Sequence, residues 1–181
     1  DIPFEEVAAH LRANRGWIDG VVVSGGEPTL HGNLADLIAA LREHVHGIKL
    51  DTNGSDPDCV AELIRRRLVD FVAMDVKAPL ERYREVTRSD VDVESIVRSA
   101  DIIRHSGVRS TFRTTAVPGL VGREEIIRIG EWLRGAESYL IQQFVPHTTI
   151  DPAYLEKKPY PKEELEALLE AAKPFFKKAR I

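Results

Sequence analysis

Five short runs rich in β-branched and apolar residues alternate along this chain with stretches of helical periodicity, and that alternation limits the fold more than any other feature. The runs are Gly20–Ser24, Ile48–Thr52, Phe71–Val76, Ser110–Val117 and Tyr139–Val145. Between them apolar residues recur at i, i+3, i+4 and i+7, the spacing of one helix face. Leu34, Leu37, Ile38 and Leu41 form one stripe. Val60, Leu63, Ile64 and Leu68 form a second; Ile96, Val97, Ala100 and Ile103 a third; Ile126, Ile127, Trp132 and Leu133 a looser fourth. A leading helix is expected over Phe4–Arg12, presenting Phe4, Val7, Ala8 and Leu11, and a last helix from about Lys162 to Lys178. Strands alternating with helices require right-handed crossovers and parallel pairing. Val21-Val22-Val23 and Phe71-Val72-Ala73-Met74 are apolar at consecutive positions, as suits strands covered on both faces. The expectation is an α/β fold with parallel strands, as one domain over residues 1–181.

The first run ends in Ser24-Gly25-Gly26-Glu27-Pro28. Two adjacent glycines leave the backbone uncovered, so a ligand can reach its N–H and C=O groups. Glu27 adds an anionic oxygen pair at the same place. Bare carbonyls plus a carboxylate suit an ammonium group and oppose a phosphate. The same five residues also read as an ordinary turn from a strand into a helix opened by Pro28.

Composition narrows the function. The 181 residues carry a formal charge of −4, without the strongly basic face of a nucleic-acid-binding protein. No apolar stretch approaches membrane-span length. The start, Asp1-Ile2-Pro3-Phe4-Glu5-Glu6, has none of the marks of a secretory signal and no initiator Met, which suggests a piece cut from a longer chain. A single cysteine, Cys59, excludes a disulfide scaffold and favours a cytoplasmic setting. It opens a helix at Asp56-Pro57-Asp58-Cys59 and reads as structural. Arg65-Arg66-Arg67 reads as a solvated helix face. Ala78–Asp92, with Arg82, Tyr83, Arg84 and Arg88, is the longest irregular connection and reads as a surface loop or short helix.

In parallel α/β architectures ligands bind beyond the carboxyl ends of the strands. The second run ends in Asp51-Thr52-Asn53-Gly54 and the third in Asp75-Val76-Lys77. The fourth carries Arg113, Thr114 and Thr115; the fifth carries Gln142 and Gln143, then Pro146-His147-Thr148. Each has a plain reading. Asn53-Gly54 is a common turn pair, Asp75 and Lys77 share a strand face and can neutralise each other, and His147 fits the surface. Gathered at one mouth, the five ends make a polar cavity of mixed charge. That suits a zwitterion bearing a sugar and a base.

These stretches resemble the radical S-adenosylmethionine (SAM) superfamily, and within it the activating enzymes of glycyl radical enzymes, most of all those that serve anaerobic ribonucleoside-triphosphate reductase. The resemblance rests on Val23–Leu30, Lys49–Ser55, Val72–Pro79, Phe112–Leu120 and Gln142-Gln143-Phe144, in the family's order over nearly the whole chain. It implies a partial (β/α)6 barrel of the TIM type. Gly25, Gly26 and Glu27 would hold the methionyl ammonium of SAM. Asp51, Thr52 and Asp75 resemble a monovalent-cation site beside the SAM carboxylate. Asn53, Lys77, Arg113, Thr115 and His147 would line the cofactor and substrate pocket, with His147 in surroundings that depart from the family pattern. The implied cofactors are SAM and a 4Fe–4S cluster. The implied partners are a glycyl radical enzyme, anaerobic ribonucleotide reductase, and a flavodoxin- or ferredoxin-type electron donor, with neither nucleic acid nor membrane.

One departure is large. The family's Cys-x3-Cys-x2-Cys loop is absent, and Cys59 alone cannot replace three thiolates. The five runs are therefore expected to be strands two to six, in a fragment lacking the barrel's first strand and cluster loop. In the intact parent, the resemblance implies reductive cleavage of SAM to a 5′-deoxyadenosyl radical that takes a hydrogen from a glycine Cα. Glu27, Asp51, Asp75, Lys77 and Arg113 would act by orientation and electrostatics rather than as acids or bases. Two other readings stand beside this one: a radical SAM enzyme acting on another peptide or a small molecule, and a non-catalytic module that binds SAM or a partner. The chain alone is expected to bind SAM weakly or not at all. An uncovered Val21–Val23 edge is expected to promote self-association.

Overall fold

The computed structural model describes residues 2–147, 149 and 151–181. The chain divides into two compact units, the first made of residues up to Met74 together with Glu94–Ser110, the second of Asp75–Val93 and Thr111–Ile181. The divisions fall inside the third and fourth strands.

In the first unit, helix α1 (Phe4–Ala13) leads to β1 (Gly20–Val23), α2 (Leu34–Arg42), β2 (Gly47–Thr52), α3 (Pro57–Arg65) and β3 (Phe71–Asp75). Most of α5 (Val93–His105) belongs here too. β1 pairs with β2 and β2 with β3, both parallel, in the registers Val22–Lys49 and Lys49–Phe71. Alternation along β2 buries Ile48, Leu50 and Thr52 on the helix side and leaves Lys49 and Asp51 half-buried on the other. Ile38, Ile48, Leu50, Val60, Leu63, Val72, Met74, Ile96 and Ile103 form the core. Each large aliphatic side chain so buried contributes roughly 1.5–3 kcal/mol. Pro57 opens α3 behind Asp56, whose side chain accepts from Cys59 N at 2.9 Å. At the other end of the strands, Arg42 grips Asp70 through both nitrogens at 2.7 and 2.9 Å. Asp70 also accepts from Ile48 N at 2.7 Å, so one carboxylate fixes the end of α2 to the start of β2. β1 stands at the edge of its sheet, and Val22 is 54% exposed there.

In the second unit, a 3-10 turn (Leu80–Arg82) and the short helix α4 (Tyr83–Thr87) occupy the irregular connection. β4 (Arg109–Ala116), α6 (Arg123–Trp132), β5 (Ser138–Gln143), α7 (Lys162–Ala172) and β6 (Lys178–Arg180) follow. β4 pairs with β5 and β5 with β6, again parallel. Phe112, Ile126, Ile129, Tyr139, Ile141 and Leu168 are buried, and Tyr139 stacks on Phe176 with centroids 4.3 Å apart. Arg82 joins the start of α4 to Leu120 O and Glu125, at 3.1 and 2.7 Å.

Two expectations are corrected. The described residues hold six strands, not five: the C-terminal helix ends at Ala172, a 3-10 turn (Lys173–Phe175) follows, and β6 starts at Lys178, where helix was expected to end. Pro174 explains the stop, since it has no N–H to continue the ladder. Pro28 opens only a 3-10 turn (Pro28–Leu30), and the α-helix itself starts at Leu34. The architecture is α/β with parallel strands throughout, as the alternation requires. No helix among the described residues is long and apolar enough to cross a membrane.

Candidate functional site

In the first unit the site is built around one carboxylate. β1 gives way to Gly25, with φ +150°, a backbone conformation side chains rarely adopt. A methyl group added at Gly25 or Gly26 would meet no other atom within 4 Å, so this backbone is open to a ligand. Glu27 turns inward and is only 9% exposed. Its Oε1 accepts from Thr29 N at 3.2 Å, Thr29 Oγ1 at 2.6 Å and Thr52 Oγ1 at 2.7 Å. Its Oε2 accepts from Asn53 N at 2.6 Å. Every one of these donors is neutral. The bonds stabilise the buried carboxylate and leave its negative charge uncompensated by any side-chain cation among them. Oε1 is crowded with three donors, while Oε2 has one and retains acceptor capacity for an ammonium.

The same bonds tie the exit of β1 to the exit of β2. Gly54 N donates to Thr52 Oγ1 at 3.0 Å, and Ser55 N to Asn53 Oδ1 at 2.8 Å. Gly54 has φ +78°, and a Cβ there would lie 2.3 Å from Met74 Cε, so only glycine closes the turn without displacing Met74. Asp51 pairs with Lys49 Nζ at 2.9 Å. Cys59 is held as a thiol. Burial first, then Asp56, Glu62 and Glu27, push it up to about 11.

In the second unit the carboxylate is Asp75, and its partners are cations. Arg113 Nε donates to Oδ1 at 2.7 Å and Lys77 Nζ to Oδ2 at 3.0 Å. The three side chains together carry one net positive charge. Tyr83, 2% exposed, fixes the backbone beneath them. Its hydroxyl accepts from Lys77 N at 3.2 Å and lies 3.4 Å from Asp75 O, and burial raises it to about 12. Thr114 Oγ1 donates to Val76 O at 2.8 Å, and Val76 N to Arg113 O at 2.7 Å. Thr115 is half-buried opposite Gln142 on the face of β4 that carries Arg113.

Of the residues expected to form the site, Gly25, Gly26, Glu27, Thr52 and Asn53 come together in the first unit, and Asp75, Lys77 and Arg113 in the second. His147 is exposed and turns back on its own chain, its N–H donating to Val145 O at 2.9 Å. Thr148 lies outside the described residues. The suggested monovalent-cation set gains no support: Asp51 and Asp75 each face a side-chain cation, and Thr52 directs its hydroxyl to Glu27. No group of three or more His, Cys, Asp or Glu side chains that could hold a metal gathers among the described residues. Sequence reasoning missed Thr29, Tyr83 and Ser99. Ser99 had a signal, since it stands between Ile96 and Ala100 on the buried face of α5, where a polar residue needs a partner.

Comparison with known proteins bears on the family and the fold. The family model described as "Radical SAM superfamily" matches residues 2–133. A protein of Methanocaldococcus jannaschii named "Putative glycyl-radical enzyme activating enzyme MJ1227" is 37% identical over 165 residues, 88% of this chain and 68% of that protein. A second from the same organism, "Putative glycyl-radical enzyme activating enzyme MJ1632", is 28% identical over 131 residues and is spanned to 49% of its length. Among solved structures, Streptococcus suis SuiB bound to S-adenosylmethionine superposes with a TM-score of 0.76 over 99% of this chain and 44% of SuiB, at 16% identity. Archaeal TYW1 gives 0.67 over 96% of this chain and 62% of TYW1, at 19% identity. At those identities the likeness is one of fold, the partial barrel that the resemblance implied.

Proposed function

This chain belongs to the radical SAM superfamily, and from that premise we propose that it forms the SAM-binding part of an enzyme that generates a glycyl radical on a partner, anaerobic ribonucleotide reductase. The observation that carries the reading is Glu27: a buried carboxylate held, among the described residues, by neutral donors alone, beside two glycines whose backbone stands open. A ligand ammonium fits that charge and that access. Bound SAM would supply the hydrogen-abstracting chemistry. Gly25 and Gly26 offer backbone carbonyls to its ammonium, and Glu27 Oε2 supplies the counter-charge. Lys77 and Arg113, one net positive charge with Asp75, favour an anionic group of ligand or substrate. Asn53 in the first unit, and Thr115 and His147 in the second, are the other residues proposed to bind cofactor or substrate.

The superfamily's 4Fe–4S cluster is a different matter. One half-buried thiol held protonated does not fit a cluster that is held by several thiolates. A flavodoxin- or ferredoxin-type protein is the proposed electron donor, and the cytoplasm the proposed setting.

The test uses the complete gene product under anaerobic conditions with SAM, reductant and the reductase. A glycyl-radical doublet in the electron paramagnetic resonance spectrum, lost in the Glu27→Gln variant, is the expected result. SAM consumption with no radical on the reductase would assign the chain to another substrate. Failure of the complete product to bind SAM at all would leave the non-catalytic reading.

A further inference from the structure

Ser99 is fully buried on α5, far along the chain from the residues of the proposed site. Its hydroxyl donates to Gly54 O at 2.7 Å. That carbonyl belongs to the same peptide group as Ser55 N–H, which in turn donates to Asn53 Oδ1 at 2.8 Å. A carbonyl that accepts a hydrogen bond makes the N–H of its own peptide a better donor, so the two bonds reinforce each other. The consequence falls on the Asn53 side chain. With Oδ1 accepting from Ser55 N, the orientation of the amide is fixed, and its Nδ2 hydrogens are left for another acceptor. Nδ2 has no acceptor among the described residues. The Asn53 backbone is meanwhile pinned to Glu27 at 2.6 Å, and Gly54 N is pinned to Thr52 at 3.0 Å. The whole turn therefore has one orientation, locked from behind by a residue on another element.

We propose that Ser99 is a positioning residue that holds the Asn53–Ser55 turn so that Asn53 presents two N–H donors to an oxygen acceptor, a carboxylate or hydroxyl, of the bound ligand. This rests on the reading of the Glu27 loop as the SAM-binding loop. It differs from the part played by Glu27: Glu27 supplies charge for a cationic group, whereas Asn53 supplies neutral donors whose direction is set at a distance.

The experiment combines site-resolved amide hydrogen exchange with SAM titration calorimetry on the complete gene product, for wild type, Ser99→Ala and Asn53→Asp. Ser99→Ala leaves a buried carbonyl without its donor. It is expected to speed exchange at Asn53, Gly54 and Ser55 about tenfold, with β2 and α5 amides unchanged, and to weaken SAM binding by a similar factor. Asn53→Asp keeps the acceptor for Ser55 N but replaces the outward donors with an anionic oxygen. It is expected to leave exchange in the turn at the wild-type rate and to weaken SAM binding at least about tenfold. A uniform rise in exchange across the unit in Ser99→Ala would reduce Ser99 to a core residue and overturn the proposal. Wild-type SAM affinity in Asn53→Asp would overturn the donor assignment. Absence of SAM binding in the wild type would sink the functional reading, while the exchange data would still decide whether Ser99 governs the turn. Should Ser99→Ala fail to fold, Asn53→Asp still decides the direction in which the amide points.

Discussion

Two carboxylates stand at strand ends in this molecule, and they are held in opposite ways. Among the described residues, Glu27 in the first unit receives hydrogen bonds only from backbone N–H groups and threonine hydroxyls. Asp75 in the second lies between a guanidinium and an ammonium. Both are satisfied as hydrogen-bond acceptors, yet they differ in what they leave for a ligand. Neutral donors stabilise an anion without cancelling its charge, so Glu27 still attracts a cation. Asp75 is cancelled, and the excess charge of its group is positive. What a carboxylate can bind depends on the charge of its partners more than on their number.

The largest effect expected from breaking this contrast is at Glu27. In Glu27→Gln the amide nitrogen brings two hydrogens into a place where every neighbour is already a donor. One oxygen cannot serve four donors that now compete with an NH2 group. A loss of about 3 kcal/mol of stability, measured by urea unfolding, is expected from buried donors left unpaired. A loss below about 1 kcal/mol would show that the network relaxes easily and that Glu27 is not held as described.

Asp75→Asn should cost less, about 1–2 kcal/mol. Asn still offers an oxygen to Arg113 Nε, and the carboxylate it replaces is 27% exposed, so solvent already screens the pair. Salt separates the two sites. Raising ionic strength from about 0.05 M to about 1 M should shrink the cost of Asp75→Asn and leave that of Glu27→Gln unchanged, because only the former removes an ion pair near solvent. Equal salt dependence would erase the distinction.

How far the sequence foretold this contrast depends on how local each signal is. The β-branched runs located the first five strands to within one or two residues, because alternation and burial are properties of neighbours in the chain. β6, only Lys178–Arg180, carries no apolar run of its own and lay hidden behind the helical composition of Lys162–Lys178. The expectation of an ammonium site at Gly25, Gly26 and Glu27 came from residue type alone. That the charge of Glu27 stays uncompensated was not legible, since Thr52 and Asn53 reach it only through the β1–β2 register. The pairing of Asp75 with Lys77 was legible, two residues apart on one strand, but Arg113 joins from β4, 38 positions away. Ser99 is the extreme case. Its partner lies 45 positions earlier, and its mark in the sequence was one polar residue on an apolar stripe.

Asp70 serves as a control within the first unit, since it too is held by a cation. The hydrogen bond from Arg42, first, then the Ile48 amide and the charges of Arg42 and Arg109, hold its carboxyl below the usual range against the opposing cost of burial. A depressed folded-state pKa means stability that is present above the unfolded value and lost as pH falls through the folded one. Wild type should therefore lose about 1 kcal/mol more than Asp70→Asn between about pH 5 and about pH 2, a modest figure because the pair is a third exposed. Parallel acid-unfolding curves for the two proteins would mean that the clamp at the strand starts contributes geometry but no electrostatic stability.

The smallest effect probes the charge of Glu27 from outside the site. Cys59 feels Glu27 as one of three anions that, after burial, push its thiol up to about 11. If the neutral donors around Glu27 truly leave its charge in place, Glu27→Gln removes one of those anions and the thiolate becomes easier to form. The midpoint of the pH profile for alkylation by iodoacetamide should then move down by a few tenths of a unit, a change of about two-fold in rate at fixed pH. The comparison is made where amide exchange around Cys59 matches the wild type, because local opening relieves the burial that raises the thiol and lowers the midpoint by itself. An unmoved midpoint would mean that four hydrogen bonds disperse the charge of Glu27 as completely as two cations disperse that of Asp75. The open backbone at Gly25 and Gly26 would then have to attract its cation without help.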